Sequence, residues 1–420
     1  MSNFQNRDLA SYINKRVEFG FSSERLRFDL SQGLFSSNDI DAGTRLLLKS
    51  LAQQVDLSGL KSVLDVGCGV GVIGIAIKKR VPHARIIMQD RDALALAFTE
   101  HNLALNGLSG AKTSGNLALR GLSRAKFDLI VSNLPAKAGK PVLDKILSEA
   151  PQWLTTSGRV AVVVVRGLAP FVREVIVGKH GCSLLWEEST SSHMVFHYAC
   201  STPEDTKKAL PPGLTSYIRS KKNFSHNSLN YELDTVFNLA EFDTLGIDTG
   251  LAFRICDGML DSLRRLDRPR ILCWNPGQGH LPMYLAKKLA KPFISFILAG
   301  RDLLQLEISK YNLDAKKTEC SLLHLFSEED VIDHIDKSTI DLAAFVPAPV
   351  PRVSWQHRVL STTDHVLKAG GFLLLWSSST QIGRFLGELG RERHATSRNL
   401  KLLYDQRKHG HRAVGFVKMS

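Results

Sequence analysis

The sequence predicts two tandem α/β domains, each a mainly parallel sheet with helices on both faces. Three observations predict this. Short apolar runs alternate with helical stretches, a glycine-rich loop follows the first strong run, and the whole pattern recurs once further along the chain. The 420 residues exceed what a single core usually holds. Apolar residues at 44% and charged residues at 23% exclude a largely disordered chain. No apolar run approaches the ~18 residues of a membrane span, so no membrane partner is expected. The stretch Met1 to Arg7 lacks the apolar centre of a signal peptide. The six cysteines, at 68, 182, 200, 256, 273 and 320, are scattered without a C-x-x-C pair. That scatter predicts neither a disulfide framework nor a zinc site, and it fits a reducing, cytoplasmic setting.

The elements of the first copy follow in order. Ser62–Val66 reads as a buried strand closed by glycines, and Val72–Lys79 as the helix it feeds. Arg85–Gln89 is the next strand and Ala93–Asn106 has helical spacing. Phe127–Ser132 and Arg159–Val165 are further strands. Ser183–Glu187 and His193–Ala199 flank a Ser-Thr-rich turn and read as a closing antiparallel hairpin.

The duplication is long. Leu64-Asp-Val-Gly-Cys-Gly-Val-Gly71 returns as Leu272-Cys-Trp-Asn-Pro-Gly-Gln-Gly279. Arg91-Asp92 and Asn102-Leu103 return as Arg301-Asp302 and Asn312-Leu313, and Phe127-Asp-Leu129 as Ile340-Asp-Leu342. Upstream, Asp41-Ala-Gly43 is echoed by Asp248-Thr-Gly250. A first domain over 1–202, a Pro-containing linker over 203–213 and a second domain over 214–420 follow.

Strand, glycine loop and helix N-terminus together form a ligand cradle. Two cofactors fit the loop. Gly69-Val-Gly71-Val-Ile-Gly74 with Asp90 downstream satisfies a dinucleotide fingerprint. The same residues read as Asp65-x-Gly67-x-Gly69-x-Gly71, an acid before alternating glycines.

Further residues carry a resemblance. Gly33-Leu-Phe-Ser-Ser-Asn-Asp-Ile-Asp-Ala-Gly-Thr-Arg-Leu-Leu-Leu48, Val63 to Gly71, Ser114-Gly-Asn116 and Ser132-Asn-Leu-Pro-Ala-Lys-Ala-Gly139 together resemble the class I methyltransferases with a "methyltransferase small" domain, in particular the ribosomal RNA guanine-N2 methyltransferases. The resemblance covers about residues 25–200 and implies Rossmann-like domains that bind S-adenosylmethionine. It implies that Asp65, Gly67, Cys68, Gly69 and Gly71 hold the methionine part, that Asp90 with Arg91 meets the ribose, and that Asn116 meets adenine. It implies that Asn133 both borders the cofactor and, with Leu134 and Pro135, receives the reacting amine. Asn133 Oδ1 and the Leu134 carbonyl would accept its two protons, so positioning and electrostatics drive transfer without a strong base. This sequence departs from the family motif at Leu134, where a proline is usual, and at Ala136, where an aromatic would stack on the base. Phe35 is the replacement aromatic, and Lys137 and Lys140 could hold the target strand. The family's relatives also carry two similar domains with the second active, whereas here the intact motifs lie in the first.

The second copy is degenerate. Asp65 becomes Cys273, Gly67 becomes Asn275, Asp90 aligns near Gly300, and the Asn133 position falls at Val346. It is expected to be a structural or RNA-positioning platform. The formal charge of +13 suits a polyanion partner. The tail 380–420 concentrates that charge, with Arg391, Arg393, Lys408 and Arg412 as expected phosphate contacts and Lys408-His-Gly-His-Arg412 as a basic hairpin turn. His193 and His197 lie in an alternating strand, and no metal site is expected. The expected function is methylation of an exocyclic base amine in structured RNA, in particular a ribosomal RNA guanine, free or in a subunit, by a monomer with an intramolecular domain pair. Three alternatives stay open: a non-catalytic RNA-binding or ribosome-assembly factor that retains the cofactor, a methyltransferase of a DNA base or a protein glutamine amide, and, on the glycine loop alone, a nicotinamide-dependent oxidoreductase.

Overall fold

The computed structural model describes residues 9–122, 125–200, 214–314, 318–392 and 400–419. The expected linker and Arg393 lie outside them. The chain forms two compact units, Met1–Tyr217 and Ile218–Ser420.

The first unit contains β1 (Lys15–Phe21), β2 (Glu24–Leu30), β3 (Ser62–Val66), β4 (Arg85–Asp90), β5 (Ala111–Gly115), β6 (Phe127–Asn133), β7 (Leu154–Val165), β8 (Ser183–Ser189) and β9 (His193–Ala199). The second contains β10 (Ile218–His226), β11 (Leu229–Val236), β12 (Arg270–Trp274), β13 (Ser295–Gly300), β14 (Glu319–His324), β15 (Ile340–Phe345), β16 (Leu367–Ser378), β17 (Leu400–Lys408) and β18 (His411–Lys418).

Each unit has one seven-stranded sheet. Their orders are β5-β4-β3-β6-β7-β9-β8 and β14-β13-β12-β15-β16-β18-β17, the same path twice. Five strands are parallel in each, and the last two close the edge as an antiparallel pair. The central strands β3 and β15 are buried along their whole length, as two-sided parallel strands must be. The expected elements are therefore present, and the helices Val72–Arg80 and Ala93–Leu105 match their expected spans to within a residue. The fold class is the expected pair of Rossmann-like domains. Within the first unit the chain leaves β3 toward β4 on one side and returns to β6 on the other. A ligand crevice belongs outside the C-terminal ends of strands at such a reversal.

Each unit also carries an antiparallel hairpin that the sequence pattern did not predict, β1–β2 and β10–β11. Their turns, Ser22-Ser23 and Asn227-Ser228, have both residues at positive φ, the geometry that matches strand twist. Asn102 ties the first hairpin to the glycine loop. Its Oδ1 accepts the Asp29 N–H at 2.8 Å, and its Nδ2 donates to the Asp29 and Val70 carbonyls. Asn312 repeats this with Asp234 and Gln278.

Two expectations are corrected. Cys182 and Cys200 form a disulfide. They stand opposite each other at the open end of the β8–β9 hairpin, just outside the Ser183↔Ala199 pair. Sequence separation hid a neighbourhood that strand register creates. The other correction concerns Arg412. The basic turn exists, with Lys408 paired to His411 across His409-Gly410. Arg412, however, points inward, and its guanidinium grips Asp405 at 2.8 and 2.6 Å with its side chain 10% exposed. It is a fold-holding ion pair and not a phosphate contact. No helix among the described residues is long and apolar enough to cross a membrane.

Candidate active site

The residues singled out from the first copy's motifs gather at the C-terminal edge of its sheet. Asp65 lies at the end of β3, Asp90 ends β4, Asn116 follows β5 and Asn133 ends β6. Gly67, Gly69 and Gly71 all have positive φ (74°, 57° and 88°), which only glycine adopts without cost. A Cβ on Gly67 or Gly69 would meet no atom within 4 Å, so these two open the loop toward a ligand. Gly71 and Gly74 serve packing instead, because a Cβ there would strike Ile75 and Met88.

The two acids are braced by backbone. Asp65 Oδ2 accepts the Gly74 N–H at 2.9 Å, whereas its buried Oδ1 has no partner among the described residues. Asp90 accepts the Gly69 N–H through Oδ2 and the Asp92 N–H through Oδ1, both at 2.9 Å. Burial pushes the Asp65 carboxyl up to about 7, with the Asp90 charge adding to it. Burial and the Asp92 charge push Asp90 up to about 6. Asn116 sits beside them, its N–H on the Asp90 carbonyl at 3.1 Å and its Nδ2 on Ser114 Oγ. The Cys68 thiol is buried against Thr99, and burial holds it well above its ordinary range. Cys68 also gives its N–H to Gln89, so it faces the fold.

An orphaned buried carboxylate oxygen, two glycines open on their Cβ side and an acid at the end of the next strand fit a ligand that brings a cation and vicinal hydroxyls.

Asn133 is held by a segment that the sequence marks only as part of a motif. The helix Ala42–Gln54 is capped by Asp41, whose Oδ2 accepts the Gly43 and Thr44 N–H groups. The same Oδ2 accepts Asn133 Nδ2 at 3.0 Å, and Thr44 Oγ1 accepts it at 3.1 Å. A carboxylate can only accept, so the amide nitrogen must face it. Both amide hydrogens are then used and Oδ1 is left as the acceptor. Leu134 is buried and its N–H returns to the Val163 carbonyl at 2.9 Å. Pro135, Ala136 and Lys137 form an exposed rim, and Ala136 offers no ring.

Phe35 is 76% exposed on the preceding loop. Lys140 is exposed and its ammonium lies 5.3 Å from the Phe171 ring centroid. In the second unit Arg391 is exposed beside Glu388, and Lys408 is exposed. His193 and His197 do not converge on a metal. His197 is buried against Ser50 Oγ at 2.9 Å and His193 pairs with Ser192.

The second unit repeats the backbone and fills the site. Asn275 sits where Gly67 does, at φ 54°, with its Nδ2 donating to the Val346 carbonyl at 2.9 Å. Its Oδ1 lies 2.8 Å from where a Gly300 Cβ would stand. The Gly277 N–H donates to Gln305 Oε1. Leu325 takes the backbone place of Asn116, its N–H on the Gly300 carbonyl.

Residues 25–175 match the methyltransferase small domain. The chain is 36% identical over 149 residues to the ribosomal RNA small subunit methyltransferase C of Pasteurella multocida, covering 35% of this chain and 44% of that protein. It is 37% identical over 135 residues to the protein of the same name from Aeromonas hydrophila, covering 31% and 37%. The match thus spans less than half the length of these relatives. Among solved structures, the T. thermophilus 16S rRNA N2 G1207 methyltransferase (RsmC), in complex with AdoMet and guanosine, is similar over 98% of this chain and 99% of that one. Its TM-score is 0.65 at 16% identity. The matched span 25–175 includes the whole glycine loop, Gly67 to Gly71. Residues 25–175 match the methyltransferase small domain, on a chain whose two units repeat one Rossmann-like fold.

Proposed function

We propose that the chain is an S-adenosylmethionine-dependent RNA methyltransferase that modifies the exocyclic amine of a guanine in ribosomal RNA. The observation that carries this is the Asn133 amide at the C-terminal end of β6, its nitrogen on Asp41 and Thr44 and its oxygen left as the acceptor.

Asp65, Gly67, Gly69, Asp90 and Asn116 would hold the cofactor, which when bound supplies an electrophilic methyl group on a sulfonium. Asp90 would accept the ribose hydroxyls, and the Asp65 oxygen without a partner would meet a cationic amine. A guanine amine is a weak nucleophile because its lone pair is delocalised into the ring. Asn133 Oδ1 and the Leu134 carbonyl accept its two hydrogens, which localises the lone pair and aims it. The positive charge that develops on nitrogen is met by oriented acceptors already in place. The second unit lacks the acids and serves as a platform, with Arg391 and Lys408 available to phosphates. Phe35, Lys137 and Lys140 approach the target nucleotide, and Phe35 takes the place of the missing aromatic at Ala136. The protein acts in the cytoplasm as a monomer, on free ribosomal RNA or a ribosomal subunit.

The exposed Ala136 favours one second reading, a cofactor-binding assembly factor without turnover. Incubation with labelled donor and ribosomal RNA, followed by nucleoside digestion, separates the two. N2-methylguanosine is the expected product, and donor binding without label transfer supports the second reading.

A further inference from the structure

We infer that Asp41 is a positioning residue for the transfer, acting through the Asn133 amide. This rests on the reading of Asn133 as the amine's acceptor.

One carboxylate oxygen does two jobs. Asp41 Oδ2 closes the first turn of the Ala42–Gln54 helix through the Gly43 and Thr44 N–H groups, and it receives Asn133 Nδ2. A cap alone needs no such reach, since the two backbone bonds satisfy it. The neighbourhood is built for close approach. A Cβ on Gly43 would lie 2.9 Å from both Asp41 Oδ2 and the His193 ring.

The second unit is an internal control. Asp248 persists in sequence at the matching helix, yet that helix is capped at Gly246, whose N–H goes to Glu241. Asp248 turns to the Thr249 N–H and toward His411. Its would-be partner is Val346. Where the amide is lost, the acid leaves the cap, although helix capping is still required there.

The bond has two consequences for Asn133. It fixes which end of the amide faces the amine. It also puts a full negative charge behind the amide nitrogen, and hydrogen bonds in series polarise one another, so Oδ1 becomes the stronger acceptor. That gain grows as the amine becomes cationic, so it acts on the rate and not on ground-state affinity.

The test compares Asp41→Asn with Asp41→Ala. Asparagine caps a helix as well as aspartate does, so Asp41→Asn isolates the charge. Single-turnover methylation at saturating donor and RNA should fall about tenfold or more in Asp41→Asn, with donor and RNA dissociation constants within about twofold of wild type. Asp41→Ala should lose at least as much rate and also melt earlier. Selective 15N-asparagine labelling supplies a readout free of activity. The Asn133 side-chain amide signal, identified by its loss in Asn133→Ala, should move upfield in Asp41→Asn. A wild-type rate in Asp41→Asn, or an unmoved amide signal, would reduce Asp41 to a helix cap and overturn the inference. If the wild-type chain transfers no methyl group to RNA, the functional reading fails, and the amide signal still decides whether Asp41 holds Asn133.

Discussion

Gly69 donates its N–H to Asp90 Oδ2 at 2.9 Å, and the matching N–H in the second unit, Gly277, donates to Gln305 Oε1 at 3.2 Å. The loop keeps its shape in both. Only the first keeps an acid that ribose hydroxyls could use, and the second is further closed by Asn275. The whole chain should therefore bind one donor molecule. Gly67→Asn, which copies the second unit's plug, should abolish binding with little loss of fold, because φ 54° at Asn275 shows that the loop tolerates asparagine. Titration calorimetry checks both. A stoichiometry near two would contradict the closed reading of the second unit.

Asp65 and Asp90 give donor binding a pH dependence. With carboxyls raised to about 7 and about 6, both are partly protonated in the donor-free protein below neutrality. A cationic donor needs them ionised. Affinity should rise from pH 5.5 to pH 8, with protons released on binding. A pH-independent dissociation constant would contradict the assignment.

The same acid burdens the empty fold. A raised folded-state carboxyl means that the folded protein holds more protons than the unfolded chain between roughly pH 4 and 7. Its contribution to stability falls as pH rises through that window. Asp65→Asn should stabilise the donor-free protein at pH 8 by about 1–3 kcal/mol, with the gain fading toward pH 5, and should weaken donor binding. Thermal melts across pH check this, and an unchanged or lower melting temperature at pH 8 would contradict it.

Arg412 and its exposed neighbours should separate. Arg412→Ala leaves Asp405 with only its 3.4 Å contact to Arg407 and should lower the melting temperature. Replacing Arg391 and Lys408 with glutamine should leave melting unchanged. It should also flatten the salt dependence of RNA affinity by about one unit for each phosphate no longer neutralised. An unaltered salt slope would make the tail a solvated face.

Much of this was readable in the residues. Continuous apolar runs such as Val160–Val164 mark central parallel strands, and alternating glycines mark the loop. The β1–β2 and β10–β11 hairpins escaped because their turns use Ser-Ser and Asn-Ser in place of a glycine pair. The Cys182–Cys200 bridge and the Arg412–Asp405 pair escaped for a different reason. Cys182 and Cys200 meet just outside the Ser183↔Ala199 pair, and Arg412, set opposite Arg407, reaches Asp405 diagonally; charge or spacing along the chain carries no record of either. Asp41 was visible only as part of a motif, since its bond to Asn133 joins positions far apart in sequence.

Asn133 stands at the centre of the proposed transfer. Asn133→Ala removes the oriented acceptor together with the amide's bonds to Asp41 and Thr44. The most direct measurement is single-turnover methylation of ribosomal RNA by this variant, beside its donor and RNA dissociation constants. The rate should fall by about two orders of magnitude or more, with both constants near wild type. A wild-type rate, or a loss confined to binding, would contradict it.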